Sequence, residues 1–241
     1  MTSAVVVGSG PNGLAAGVVL ARAGIDVTVL EAEDEIGGGT RSAELTVPGL
    51  IHDICSATHP TGVASPFFRS LDLERHGLQW LWPEVDAVHP IDGGRAGVMF
   101  RDLDRTAELL GEDGAAWRKL YAPLVEHSDA LIDELFQPIV HLPKHPFMLA
   151  RFGARALQPA AWIARRWETD EARGLFAGLA AHAIYPLSKP TTGGLGLMFG
   201  MTSHAYGWPV AKGGSSAIAH ALAAEIMEHG GIIETSHRVA E

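Results

Sequence analysis

The chain has 241 residues, 47% of them hydrophobic and 19% charged, which excludes a compositionally disordered protein and supports one large domain or two small ones. Its net charge of −10 excludes nucleic acid as the main partner, because phosphate backbones bind basic surfaces. The single cysteine, Cys55, excludes an internal disulfide framework and fits a reducing, cytoplasmic setting.

Met1-Thr2-Ser3 runs straight into a β-branched segment, without the charged and apolar regions of a secretory leader. No uncharged apolar run reaches the length of about 18 residues that reads as a transmembrane helix. Val5-Val6-Val7 predicts a strand, Gly8-Ser9-Gly10-Pro11-Asn12-Gly13 a glycine turn, and Leu14 to Ala23 a helix. Val27-Thr28-Val29-Leu30 predicts a second strand, and Glu31 closes it. The order is that of a dinucleotide-binding βαβ unit. Gly8 permits the tight turn, Gly10 leaves room for a phosphate at the backbone, and Gly13 lets the helix lie close on the sheet. The helix start offers unpaired N–H groups and a positive dipole end to a pyrophosphate. Glu31 is placed to accept from a ribose hydroxyl, and its charge repels a 2′-phosphate. The alternative, a glycine turn in some other α/β protein, leaves the small residues Gly17 and Gly24 and the spacing of the acid unexplained.

Glu35-Ile36-Gly37-Gly38-Gly39-Thr40-Arg41-Ser42 follows where a plain NAD domain would begin another crossover. Consecutive glycines suit backbone passing close to a bulky group, and Arg41 offers a cation beside the pyrophosphate. A flexible loop with a solvated arginine is the alternative.

The stretch VVVGSGPNGLAAGVVLARAGIDVTVLEAEDEIGGGTRS resembles the N-terminal FAD-binding signature of flavoproteins with two dinucleotide-binding motifs. Within that group the chain is most similar to the phytoene (carotenoid) desaturase-like oxidoreductases, relatives of the flavin amine oxidases. The likeness continues through PGLIHDICSATHP and returns at GWPVAKGGSSAIAHALAAEIMEHGGIIETSHRVAE. It implies FAD as cofactor, held by Gly8, Gly10, Pro11, Asn12, Gly13, Glu31, Ala32, Gly37, Gly38 and Arg41. It also implies a late strand whose valine, Val239 by position, packs on the adenine. Members of the family are about twice as long and complete the flavin pocket with C-terminal segments, so the likeness covers an N-terminal half. Two accounts stay open: an FAD-dependent enzyme lacking that half, and a shortened non-catalytic FAD-binding protein or one subunit of a two-chain flavoenzyme. A simple NAD-dependent dehydrogenase is a third account, against which the Gly37–Gly39 segment speaks.

Residues 1–75 therefore read as the first cofactor-domain segment, 76–205 as a substrate-side insertion, and 206–241 as the return. In the insertion, Ala87 to Ile91 and Gly97 to Phe100 predict a β-hairpin around Asp92-Gly93-Gly94-Arg95. Asp104 to Leu110 predicts a short helix. From Asp113, read as an N-cap, Trp117, Leu120, Tyr121, Leu124, Leu131 and Leu135 recur at helical spacing and read as core. Residues 135–167 hold Lys144, Arg151, Arg155, Arg165 and Arg166 with no acid, interleaved with Phe136, Phe147, Phe152, Trp162 and Trp167. Such a mixture fits peripheral contact with a lipid surface, or a lid whose apolar side faces the core. Prolines 138, 143, 146 and 159 interrupt any single helix there.

His141 and His145 stand four apart, but Pro143 and Pro146 spoil the helix that would align them, so no metal site is expected. Cys55 has no Cys-x-x-Cys partner and reads as an inert side chain near the flavin. His52, Asp53 and His59 are the nearest polar candidates for contact with flavin or substrate, and no catalytic residue can be assigned. Ser215 to Glu228 predicts a helix whose start faces the cofactor side, and no nucleophile-elbow pattern surrounds Ser215 or Ser216. Lys212 reads as solvated. The expectation is an α/β Rossmann-like FAD-binding domain with a mostly helical insertion. By resemblance, it removes hydride from an apolar or amine-bearing small molecule.

Overall fold

The computed structural model describes residues 2–138 and 140–240. Met1, Ile139 and Glu241, which fall within the expected segments, lie outside the described residues. Strand β1 (Ser3–Val7), helix α1 (Pro11–Arg22) and strand β2 (Asp26–Leu30) form the expected parallel βαβ unit, with Val6 opposite Val29. Pro11 opens α1 with a preset φ, and Leu14, Val18 and Ala21 form its buried stripe. The strand Ile232–Glu234 pairs with the other edge of β2, so the sheet order is β1, β2, Ile232–Glu234.

The helix Ser216–Glu228 packs on α1. A Cβ at Gly17 would lie 2.8 Å from Ile226 Cδ1 and 3.3 Å from Val29 Cγ2, so a glycine is what lets helix, helix and sheet meet. The third strand is shorter than expected, and Val239 is not on it. Ser236 adopts φ +54°, and the Ser236 and His237 amides donate to the carbonyls of Glu33 and Glu31, each at 2.7 Å. The chain therefore leaves the extended path before Val239, which lies in irregular backbone.

The chain divides into two compact units. The first comprises Met1–His59, Ser70–Leu81 and Val210–Glu241, and the second Pro60–Arg69 and Trp82–Pro209. These joints differ from the expected 75/76 and 205/206. Trp80–Leu81 pairs antiparallel with Val210–Ala211, which holds both in the first unit. Ala64 is fully buried in the core of the second, which draws Pro60–Arg69 there.

In the second unit the hairpin Ala87–Ile91/Arg95–Met99 turns through Gly93 and Gly94, both at positive φ. The apolar series from Trp117 spans two helices, Gly114–Glu126 and Ser128–Leu135, separated at His127. Trp117, Tyr121, Trp167 and Phe176 pack at the centre as a tilted series, with adjacent ring centroids 4.8–5.2 Å apart. They pack against the helix Thr192–Tyr206, where a Cβ on Gly200 would fall 2.3 Å from the Tyr121 ring.

Asp113 does not cap its own helix. Its carboxylate accepts from Glu168 N, Thr169 N and Thr169 Oγ1, at 2.6–3.0 Å, and so fixes the start of the helix Asp170–Ala180. Burial pushes its pKa up, but those hydrogen bonds outweigh burial and hold it below the usual value.

Each unit buries a titrating group. In the second, His204 Nε2 accepts from Trp117 Nε1 at 3.0 Å and Nδ1 donates to Arg101 O at 3.2 Å, which fixes a neutral ring. Burial lowers its pKa to about 4. In the first, Glu225, with a fully buried side chain, is held by Arg22, Arg75 and His76 at 2.6–2.8 Å. Burial raises its pKa, but these partners win and bring it to about 2.

Both groups bind protons more readily when unfolded, so both lose stability as pH falls. The His204 contribution is lost from about pH 6.5 to 4 and the Glu225 contribution from about pH 4.5 to 2. Tryptophan fluorescence during acid titration is expected to report the second unit loosening first, and His204→Gln to flatten the upper part of that profile. Glu225→Ala is expected to cost about 2 kcal/mol in urea melts, less than a wholly buried pair because its arginines are partly solvated.

Candidate cofactor-binding site

Gly8 leaves β1 at φ +96°, and its amide donates to Leu30 O at 2.7 Å, closing the turn between the two strands. A Cβ at Gly13 would lie 2.1 Å from Gly8 O, so only glycine permits this seating of α1. Gly10 is the N-cap, with no side-chain cap and no acid in the first turn, and a Cβ there meets open space. The start of α1, with Pro11, Asn12 and Gly13, is thus an uncapped positive helix end facing an open surface.

Glu31 stands at the end of β2, buried, and faces this turn. Its Oε2 accepts from Ser9 N at 2.9 Å and from the Ser9 hydroxyl, and its Oε1 accepts from Glu33 N at 3.0 Å. Burial raises the Glu31 pKa, while the Ser9 and Glu33 hydrogen bonds outweigh it and keep the carboxylate ionised. Sequence reasoning missed Ser9, for which a hydroxyl inside the glycine motif was the one signal to hand. Ala32 follows Glu31 immediately, so its position is set by the same contacts.

The Gly37-Gly38 segment lies on the glycine turn. Gly37 N donates to Ser9 O at 3.0 Å, and a Cβ at Gly38 would be 3.1 Å from Gly10 Cα. Arg41 Nε donates to Gly38 O at 3.2 Å, which orients the guanidinium. Arg41 also lines a cleft of about 310 Å³ with Asp34, Glu35, Ser42, Ser216, His220 and Thr235. His220 and Thr235 come from the return segment and carried no sequence signal. The donors present suit a dinucleotide: open backbone N–H groups and a cation for phosphate, an ionised acid for a ribose. Val239, half-exposed, lies past the end of the Ile232–Glu234 strand and so does not occupy the strand position expected of it.

The start of the helix Ser216–Glu228 is used internally. Asp53 Oδ1 accepts from Ser215 N at 2.7 Å and from Ser42 Oγ at 2.7 Å, while Ser42 Oγ accepts from Ser216 N at 3.0 Å. Ser215 Oγ gives its one proton to Ser56 O at 2.6 Å, so His59 Nε2, 2.8 Å away, donates to it. Asp53 and His59 therefore brace this helix rather than forming an acid–base pair. His52 pairs with Thr46 at 2.7 Å, and Cys55 is exposed. Lys212 Nζ donates to Gln79 Oε1 at 3.0 Å.

His141 is bound to Glu134 at 2.8 Å, and the same carboxylate takes the His145 amide at 2.6 Å. Among the described residues His76, Glu225 and Glu228 converge as metal ligands would, but Arg22 and Arg75 already neutralise those carboxylates.

This geometry defines a Rossmann-like dinucleotide-binding α/β protein, and residues 6–72 match the NAD(P)-binding Rossmann-like domain family. A limonene dehydrogenase subunit of Castellaniella defragrans is 30% identical over 52% of this chain and 23% of its own length. Pyridine nucleotide-disulfide oxidoreductase domain-containing protein 2 of Rattus norvegicus is 26% identical over 99% of this chain and 48% of its own. The chain spans less than half the length of either curated relative. A putrescine oxidase structure shares the fold at 22% identity and TM-score 0.55, over 96% of this chain and 50% of its own.

Two glycine substitutions separate architecture from binding. Gly13→Ala forces α1 off the Gly8 carbonyl and is expected to cost more than about 3 kcal/mol in a denaturant melt. Gly10→Val enters open space at an ordinary φ of −63°, so its melt should stay within about 0.5 kcal/mol of the parent while dinucleotide retention is lost. Stoichiometric retention by Gly10→Val would remove the pyrophosphate from this turn.

Proposed function

We propose that this chain forms the cofactor-binding part of an FAD-dependent oxidoreductase of the phytoene desaturase-like type. The observation that carries the reading is the Ser9-clamped Glu31 beside the open, uncapped start of α1, with Gly37-Gly38 packed directly on the turn. A plain NAD domain has no use for that second glycine layer or for Arg41 anchored to it. In this reading the N–H groups of Gly10, Asn12 and Gly13 and the Arg41 guanidinium take the pyrophosphate, those of Gly8 and Ser9 being held by Leu30 O and Glu31. Glu31 and Ala32 take the adenosine ribose, and Val239 lies against the adenine from irregular backbone. Bound FAD would accept a hydride equivalent from the substrate, while the protein orients both partners. An apolar or amine-bearing small molecule fits relatives named for limonene and putrescine. Cys55 without a partner fits a cytoplasmic site of action.

A second reading rests on one edge of the sheet. Among the described residues β1 pairs only with β2, and Val5 and Val7 are exposed on it. We propose that further polypeptide, continuous with this one or on a second chain, covers that edge, in keeping with a relative that is itself named as part of a multi-chain enzyme. Alone, this portion then binds FAD without turnover.

A visible spectrum of the purified 241-residue chain, with mass spectrometry of what it releases on denaturation, tests the cofactor. Flavin absorbance with FAD released is the expected result. Release of NAD instead, or a colourless chain that takes up no added FAD, overturns the assignment. Glu31→Gln should weaken retention by roughly tenfold or more, since a neutral amide cannot accept Ser9 and ribose donors as a carboxylate does.

A further inference from the structure

The helix Pro146–Ala156 presents a cationic and apolar face on which Phe147 and Arg151 are exposed and Arg155 is half-buried. Phe147, Arg151 and Arg155 are spaced four apart and share one face, while Phe152 turns to the core. Together with Leu124 and Leu131 they line an apolar cleft of about 240 Å³. Phe147 is 91% exposed, and Val140 and Leu142, just ahead of the helix, are 93% and 94% exposed. Bulky apolar side chains so fully in water gain from being covered.

The charges are equally unmatched. Arg69, Arg75, Arg95, Arg105 and Arg118 each hold a carboxylate at 2.6–3.1 Å. Among the described residues Lys144, Arg151 and Arg155 have no such partner, and Glu134, the last acid before them in the sequence, is buried on His141 and the His145 amide. Arg155 even adds to the burial that lowers the pKa of Arg166, so cations crowd there without compensation. In a chain of net charge −10 this is a local reversal of sign.

We propose that this face docks on an anionic lipid bilayer, with Val140, Leu142 and Phe147 entering the headgroup boundary and Lys144, Arg151 and Arg155 meeting the lipid phosphates. Apolar side chains flanked by cations on one helix face satisfy both halves of an anionic interface, the acyl boundary and the charged headgroups. The proposal is independent of the cofactor reading.

The test is flotation of the full chain with phosphatidylcholine vesicles, with and without one-third phosphatidylserine, at low salt and at about 0.15 M. The chain should float with the anionic vesicles only, and less well at the higher salt. Arg151→Gln with Arg155→Gln should lower partitioning about 25-fold. Phe147→Ser should lower it about tenfold. All three side chains are outside the core, and circular dichroism checks each fold; Leu142→Ser and Lys144→Gln serve as the second pair. No flotation with anionic vesicles at low salt overturns the proposal, as does equal flotation with phosphatidylcholine alone. Loss on removing the arginines with no effect of Phe147→Ser also overturns it, because that result describes a site for a soluble polyanion.

Discussion

The structure of the first unit depends on a missing methyl group. Helix α1 sits so close to β1 that a Cβ on Gly13 would overlap the Gly8 carbonyl at 2.1 Å. One turn later Gly17 repeats the condition against Ile226 and Val29. These two contacts set where the helix starts, and hence where its unpaired N–H groups point. They also admit the helix Ser216–Glu228, which delivers the third strand to β2. The binding surface is therefore a consequence of packing. A larger residue at either position would move the open start of α1 itself.

Two buried glutamates then do different work. Glu225 is saturated by cations, so its charge is spent inside the unit, joining α1 to the segment Leu73–His76. Glu31 takes only neutral donors, from Ser9, Glu33 and the Ala32 backbone, and keeps its negative charge at the end of β2 beside the glycine turn. A carboxylate without a counter-cation retains acceptor strength for a hydroxyl. Ser9 also ties the acid to the glycine turn, and through its carbonyl holds Gly37, so three separated stretches of sequence are registered on one residue.

Much of the first unit was legible because its logic is local. A β-branched run, a glycine turn, an alanine-rich helix and a terminal acid are each decided by neighbours within a few residues. The hairpin around Gly93-Gly94 was legible for the same reason. The helix Thr192–Tyr206 was not, since Gly193, Gly194, Gly196 and Gly200 each cost about 1 kcal/mol of helix propensity. That cost is offset only in three dimensions, where Gly200 and Gly196 admit the Tyr121 and Phe176 rings and Gly193 and Gly194 admit Ile163 and Ala156. Asp113 misled in a similar way. Its place before a helical run suggests a cap, but its carboxylate reaches donors 55 residues away. Val239 was displaced from its expected strand by a backbone turn at Ser236 that nothing in Thr-Ser-His announces.

The pattern of charge pairing separates the two surfaces that matter. Most arginines outside the 140–166 region are consumed by acids of the same unit, even at exposed positions where each pair contributes little stability. Among the described residues Arg41, like Arg101 and Arg173, makes no ion pair and is held by a backbone carbonyl. Lys144, Arg151 and Arg155 escape pairing by lying in a stretch that has no acids. Arg41 and these three cations differ in their surroundings. Arg41 sits beside the glycine turn in a cleft lined by Asp34, Glu35, Ser42 and Ser216, whereas the other three flank exposed aromatic and aliphatic groups. In the two readings proposed above, the polarity of the neighbours is what separates them: polar groups and a glycine turn around a cation suit a nucleotide, and exposed apolar groups around a cation suit an extended amphiphilic surface.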